Sequence, residues 1–228
     1  ADQLAVRLCD RHFGIGADGL ALLQPSDTGV CRVRIMNPDG SEAEMCGNLI
    51  RCVGKYLYER DFVHERVFDV QMYNAVKTLH LTVENDRVSA VRVNMGEPIL
   101  ESCAVPVAGP ARRVLQERIT ACGQDFLMTA VSMGNPHCVI FVDDLDAVPL
   151  AVWGPELEKH EAFPRRTNVE FVQIQSPAEA RFVVWERGAG PTLACGSGAC
   201  AVLVAGVLNQ KLQRRAVLHL PGGDLVVE

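Results

Sequence analysis

The 228-residue sequence contains no apolar run near the ~18 residues that a membrane-spanning helix needs, and no signal-peptide pattern opens it. It also has no excess of positive charge: 22 Lys and Arg stand against 28 Asp and Glu, for a net charge of −6. Nucleic acid and anionic membrane surfaces are held through positive charge, so neither is expected as a partner. Cys-x-x-Cys and His-x-x-x-His pairs are missing too, and His12, His64, His80, His137, His160 and His219 are scattered along the chain. No metal is expected without such ligand spacing. What the chain does have is apolar mass. With 48% hydrophobic and 22% charged residues it can bury a core, which argues against global disorder, and its length suits one large domain or two small ones. The nine cysteines are an odd number with no secretory context. The expectation is a reducing, cytoplasmic setting in which thiols are either packing or chemistry.

Leu4, Ala5, Leu8, Cys9 and Phe13 recur at helical spacing, which predicts a short amphipathic helix over 1–13. Strands are predicted at 20–23 and 30–36, the latter ending in the turn Asn37-Pro38-Asp39-Gly40-Ser41. A helix is predicted over 49–58 and successive strands over 68–93. A softer zone with Pro98, Pro106, Gly109 and Pro110 divides the chain, giving halves of 1–98 and 99–228. Further strands are predicted at 126–133, 138–142, 169–173 and 182–185. Residues 196–208 read as a helix that is apolar on nearly every side and so must be surrounded by protein.

The halves echo each other. Met45-Cys46-Gly47-Asn48 and Ala194-Cys195-Gly196-Ser197 each run into a helix, and Met95-Gly96-Glu97-Pro98 resembles Met133-Gly134-Asn135-Pro136. A duplicated unit of about 100 residues, each copy wrapping a sheet around one helix, accounts for this. Gly14-x-Gly16-x-x-Gly19 matches a dinucleotide fingerprint, but its glycines follow a helix and precede a strand. That order is wrong for a pyrophosphate cradle, so a tight loop is the better reading.

Cys31, Cys52, Cys122, Cys138 and Cys200 fall on apolar faces or strands and are expected as core. Cys46 and Cys195 differ, because each precedes a glycine, a small polar residue and a helix. The unpaired N–H groups and positive dipole end of a first helical turn favour a thiolate and can also bind a carboxylate. Two thiols facing one carbon could invert it, one removing a proton from one face and the other delivering a proton to the opposite face. A cysteine hydrolase pairing Cys46 with His137 is the competing chemistry, but it leaves the second Cys-Gly turn without a use.

At these residues the chain resembles the diaminopimelate epimerase family. The matching segments are Asp10 to Asp18, Asn37 to Glu42, Met45 to Asn48, Ser132 to His137, Arg166 to Val169, Glu186 to Gly190, Ala194 to Cys200 and Leu220 to Gly223. They are collinear and span most of the chain. The resemblance implies an α/β (mixed α+β) fold of two pseudo-symmetric domains, each a curled mixed sheet around a central helix, with the site in the cleft between them. It implies cofactor-free interconversion of LL- and meso-diaminopimelate in lysine and peptidoglycan-precursor synthesis, with Cys46 and Cys195 as the acid/base pair. By the same matching, Asn37, Asn135 and Asn168 hold the amino and carboxyl groups of the amino-acid substrate. Glu186 and Arg187 complete that cage, and Gly47-Asn48 and Gly196-Ser197 offer helix N-termini. A homodimer stays open as the assembly.

Several positions depart from the family pattern. Its glycine-rich opening segment with Asn-Asp-Phe and its last strand are not in this sequence, so both ends are expected to be short. Gly19, Leu49, Tyr73-Asn74-Ala75 and Ser197 stand where relatives usually carry other residues. Two further readings remain beside the first. One is a proline- or hydroxyproline-type two-thiol racemase of the same fold, whose members commonly carry His after the first Cys-Gly, where this chain has Asn48. The other is a ligand-binding relative without catalysis, against which intact Cys46, Cys195, Glu186 and Arg187 weigh.

Overall fold

The computed structural model describes every residue except Ala1, Glu44, Met45 and Asn74, and leaves the Ala43 side chain aside. Met45 of the first Cys-Gly motif and Asn74 of the Tyr73-Asn74-Ala75 segment therefore lie outside the described residues. The chain divides into two compact units, Ala1–Met95 and Gly96–Glu228.

The first unit opens with α1 (Asp2–Cys9), a shorter helix than the sequence predicts. Asp10 stops it: its carboxylate accepts the backbone N–H groups of His12 and Phe13, both at 2.7 Å, and so competes with the next helical turn. Phe13, expected on the helix's apolar face, is instead exposed. The strands β1 (Leu20–Gln24), β2 (Arg32–Met36), β3 (Glu42–Ala43), β4 (Val67–Gln71), β5 (Val76–Glu84) and β6 (Arg87–Val93) form one sheet, ordered β1-β2-β4-β5-β6 with β3 beside β2. It is mixed, because β2 and β4 run parallel while the other neighbours are antiparallel. Between β3 and β4 the chain forms α2 (Gly47–Glu59), which packs against β5 and β6 through Ile50, Val53, Gly54 and Leu57. Gly54 lets the helix approach closely, since a Cβ there would lie 3.1 Å from Leu79 and 3.2 Å from Val91.

The second unit contains β7 (Glu117–Ala121), β8 (Gln124–Ser132), β9 (Pro136–Phe141), α3 (Leu150–Glu158), β10 (Asn168–Ser176), β11 (Glu179–Glu186), β12 (Gly190–Thr192), α4 (Gly196–Leu208), β13 (Ala216–Leu220) and β14 (Gly223–Val227). Its sheet is also mixed, ordered β14-β13-β11-β10-β9-β8-β7, with β12 beside β11 and parallel pairs at β9–β10 and β11–β13. Period-2 alternation sends Cys138, Ile140, Val169 and Phe171 to one face, where Trp153 of α3, Phe126 and Phe171 pack with ring centroids 5.1–6.1 Å apart. The other face, which carries His137, Val139, Glu170 and Val172, is turned toward α4. That helix packs against β8, β9, β10 and β14, so its apolar circumference is enclosed as the sequence requires.

The two units share a plan. In the first, β1 and β2 pair antiparallel, β2 turns back into β3, and α2 leads to β4, parallel to β2 and antiparallel to β5. In the second, β10, β11, β12, α4, β13 and β14 repeat that order with the same strand directions. The echoed Cys-Gly motifs thus occupy one topological position in both copies.

Two expectations about cysteine fail. Cys52 points to solvent from α2 instead of joining the core, and Cys122 sits at the β7–β8 turn with a φ of +52°, partly exposed. Cys31 and Cys138 are buried as expected.

Candidate active site

In the first unit Cys46 caps α2 from an extended backbone (φ −144°, ψ 104°), and its side chain is half-buried against the edge of the core. No acidic residue occupies the first turn of α2 to oppose its positive end. Gly47 is buried, and Arg51 reaches back from the next turn, donating to the Gly47 carbonyl at 3.1 Å and to Asn48 Oδ1 at 2.7 Å. Asn37 ends β2. Its amide donates to Ser41 Oγ at 2.9 Å within the tight turn that Gly40 makes with a φ of +86°. Two of the departures meet here: a Cβ on Gly19 would lie 3.9 Å from the tip of Leu49, so the leucine occupies the space beside the glycine.

The second unit holds a denser constellation. Cys195 caps α4 from a similar extended backbone (φ −131°, ψ 111°) and is buried, with 5% of its surface exposed. Its sulfur accepts the Gly198 N–H at 3.3 Å and lies 3.6 Å from Ser197 Oγ. Burial pushes the thiol well up from its usual range; the nearby carboxylates of Glu186 and Glu170 push it further, and the contacts to Ser197 and Gly198 oppose them. Glu186 is itself raised by burial and by Glu170, against the opposing pull of hydrogen bonds from Thr192 and Cys195 and of the nearby His137. Asn135 donates to Ser197 Oγ at 3.4 Å, and His137 Nε2 lies 3.0 Å from Asn135 Oδ1.

Asn168 is almost wholly buried and works on backbone. It donates to the Pro136 carbonyl at 2.8 Å and accepts the Arg187 N–H at 2.9 Å, so it ties the start of β9 to the turn after β11. Arg187 is exposed on that turn, and its guanidinium reaches the Arg165 carbonyl at 3.4 Å. Glu158 of α3 secures the same turn, accepting Trp185 Nε1–H at 2.8 Å and the Gly188 N–H at 3.1 Å. Gly188 and Gly190, with φ of +78° and +79°, bend the chain there.

Within the second unit, then, Asn135, Glu186, Cys195, Gly196 and Ser197 come together, while Asn168 and Arg187 are joined to each other through backbone. Cys46, Gly47 and Asn48 gather in the first unit, with Asn37 at the end of β2. Both ring nitrogens of His137 are engaged inside the second unit, by Glu170 and by Asn135, which leaves little for the hydrolase pairing. The residues that sequence reasoning missed are Glu170 and Glu158. The signal for Glu170 was available, as a lone carboxylate interrupting the apolar run Val169 to Val172.

Comparison with solved structures finds this fold in a hydroxyproline epimerase and in a phenazine biosynthesis protein. A hydroxyproline epimerase from Agrobacterium vitis matches with a TM-score of 0.72 at 14% identity, covering 98% of this chain and 70% of that one. A phenazine biosynthesis protein of the PhzF family from Bacillus anthracis matches with a TM-score of 0.68 at 13% identity, over 99% and 78%. At that identity the likeness concerns the fold.

Sequence likeness is sharper. The diaminopimelate epimerase family model matches residues 1–101 and 129–228. Curated diaminopimelate epimerases from Pelotomaculum thermopropionicum and Desulfitobacterium hafniense are 59% and 52% identical, each over 99% of this chain and 80% of its own length. One from Methanococcus maripaludis is 49% identical over the whole chain and 82% of its own length. The chain belongs to the diaminopimelate epimerase family, a family of isomerases. Among the described residues no helix is long and apolar enough to cross a membrane.

Proposed function

We propose that the chain interconverts LL- and meso-diaminopimelate with two thiols and no cofactor, as a step of lysine and peptidoglycan-precursor synthesis. The observation that carries this reading is the repeat. In two copies of one topological unit, a cysteine stands at the N-terminal cap of the helix that follows the strand–turn–strand motif. One cysteine, as thiolate, takes the α-proton, so that a C–H bond breaks and an S–H bond forms. The other, as thiol, gives its proton to the opposite face and becomes the thiolate. Nothing is consumed, and the reverse reaction exchanges the roles. The mechanism requires both sulfurs to reach one substrate carbon, at roughly 3–3.5 Å each.

The burial of Cys195 beside Glu186 and Glu170 favours its protonated form in the free protein. The amides of Gly47-Asn48 and Gly196-Ser197 suit the charge that builds on the substrate carboxylate as the proton leaves. In this reading Glu186 meets the ammonium group, Arg187 meets a carboxylate, and Asn37, Asn135 and Asn168 orient the rest.

The test is exchange of the substrate α-proton in D2O, followed by proton NMR, with C46A and C195A alongside the unaltered chain. Interconversion of LL- and meso-diaminopimelate with α-deuteration that needs both thiols is expected, with no exchange of proline. Interconversion surviving either substitution would end the two-thiol mechanism. Exchange of proline alone would assign the chain to the racemase reading, and binding without exchange to the non-catalytic one.

A further inference from the structure

Glu170 and His137 are both fully buried, and no element of the mechanism above uses either of them directly. They stand on adjacent strands, β10 and β9, on the face turned toward α4. Glu170 Oε1 lies 2.6 Å from His137 Nδ1, while the other carboxylate oxygen, Oε2, is buried without a hydrogen-bond partner. A buried polar atom left bare is costly, so the carboxyl group needs a reason to be there. It also crowds the thiol helix: a Cβ on Gly198 would lie 2.9 Å from Glu170 Oε1 and 3.2 Å from Cys195 Sγ. Carboxyl and thiol therefore converge on one backbone position in the first turn of α4.

From Glu170 the contacts run on in a line. His137 Nε2 lies 3.0 Å from Asn135 Oδ1, Asn135 Nδ2–H donates to Ser197 Oγ at 3.4 Å, and that hydroxyl lies 3.6 Å from Cys195 Sγ. The line has a direction because the hydrogen bond made at Nδ1 sets which ring nitrogen carries the proton.

We infer that Glu170 is a positioning residue for the chemistry at Cys195. By holding one proton in its contact with His137 Nδ1 it leaves the other on Nε2, and so turns the Asn135 carboxamide oxygen toward the ring and its N–H toward Ser197. Asn135 then presents fixed donors beside the thiol instead of a carboxamide free to flip. Glu170 touches no substrate in this scheme and acts only through His137 and Asn135. The inference rests on the epimerase reading for its kinetic consequence alone.

The experiment compares E170Q and E170M with the unaltered chain. Gln keeps the shape and can donate to Nδ1, whereas Met fills similar space and can do neither. Ring-nitrogen NMR of histidine-labelled protein, with the His137 signals assigned by their loss in H137Q, reads the proton positions whether or not the protein turns over. Nε2 is expected in its N–H form in the unaltered chain and in E170Q, and to lose that single form in E170M. In the α-proton exchange assay kcat should fall by about 10- to 100-fold in E170M, the scale lost when a group orienting a functional imidazole is removed. KM should move much less, and E170Q should recover most of the rate. An Nε2 without its proton in the unaltered chain, or an E170M spectrum unchanged from it, would overturn the inference. So would equal rates in E170M and the unaltered chain. Absence of exchange in the unaltered chain would instead count against the epimerase reading, and the ring-nitrogen spectra would still decide the role of Glu170.

Discussion

Replacing Gly198 with alanine sets two effects of known sign against each other. Gly198 is the third residue of α4, and alanine in place of glycine in a helix stabilises by about 1 kcal/mol. Against that, the new methyl would arrive 2.9 Å from Glu170 Oε1, 3.2 Å from Cys195 Sγ and 3.3 Å from Cys195 Cβ. Comfortable contact needs roughly 3.5–4 Å, so the neighbours must yield by about half an ångström or more. A flexible carboxylate could do so cheaply on a surface. Here Glu170 is fully buried and held 2.6 Å from His137, and the cysteine side chain is fixed by the Gly198 N–H itself. Overpacking of this kind costs about 1–3 kcal/mol, leaving a net destabilisation of roughly 0–2 kcal/mol. Activity should suffer more than stability, because displacing a reacting group by a fraction of an ångström lowers kcat by about tenfold or more.

The control is G54A in α2. It has the same helical gain, but its neighbours at 3.1–3.4 Å are the tips of Leu79, Val91 and Leu81, which can give way. That variant should unfold within about 1 kcal/mol of the unaltered chain and exchange the α-proton at the same rate. Urea unfolding and exchange in D2O measure both quantities on the same samples. A G198A protein about 1 kcal/mol more stable, with undiminished exchange, would refute the reasoning. It would mean that the carboxyl and the thiol move aside freely.

Two further outcomes follow from titrating groups away from the thiol pocket. His219 is raised above its ordinary value of 6.5 by hydrogen bonds to Asp224 and then Glu179, which join β13 to β14 and β11. Its contribution to stability is therefore complete below about pH 6.5 and lost as pH rises through the higher folded value. Melting temperatures across pH 6–9 should show that decline in the unaltered chain and not in H219Q; parallel curves would remove the clamp. Cys122 is pushed up to about 11 by burial and by Glu156, which also accepts its backbone N–H at 2.7 Å. Iodoacetamide at pH 8 should label the exposed Cys52 and Cys103 well before Cys122, as read by peptide mass spectrometry. Equal rates at Cys122 and Cys52 would contradict that assignment.

The elements most legible in the sequence are those whose pattern is settled locally. Helix α4 was readable to the residue because an apolar run after a Cys-Gly cap admits one interpretation. The β2 alternation and its Asn37 to Ser41 turn were equally plain. Helix α3 has no plain sequence signature, because Pro149 stands at its start and Gly154 and Pro155 lie inside it, residue types that ordinarily interrupt helices. Gly154 is needed because the Trp185 ring sits where a Cβ would go, 2.6 Å away, and nothing near α3 in sequence announces that ring. Helix α1 was overextended because helical spacing continues to Phe13, while the Asp10 carboxylate that ends it acts through two backbone amides. The cysteines at the helix caps stood out by repetition. Their polar surroundings did not, since Glu170 meets His137 only when β9 and β10 pair in parallel.

The repeat makes the two thiols alike in backbone and leaves them unlike in environment. Both cysteines cap a helix from extended φ and ψ, and neither helix has an acidic residue in its first turn. Yet Cys46 is half-buried on a turn where Arg51 holds Asn48, whereas Cys195 is buried beside Glu186 and Glu170. The difference has a topological source. In the second unit β10 is flanked by β9, which supplies His137 and through it the line to Ser197; in the first, the equivalent strand β1 ends the described sheet. In the two-thiol reading proposed above the roles exchange with direction, so each sulfur serves in turn as base and as acid, and the pair shares one proton. Duplication supplies the matched positions, and β9, standing outside the duplicated unit, supplies the polar line from Glu170 and His137 that reaches the surroundings of Cys195.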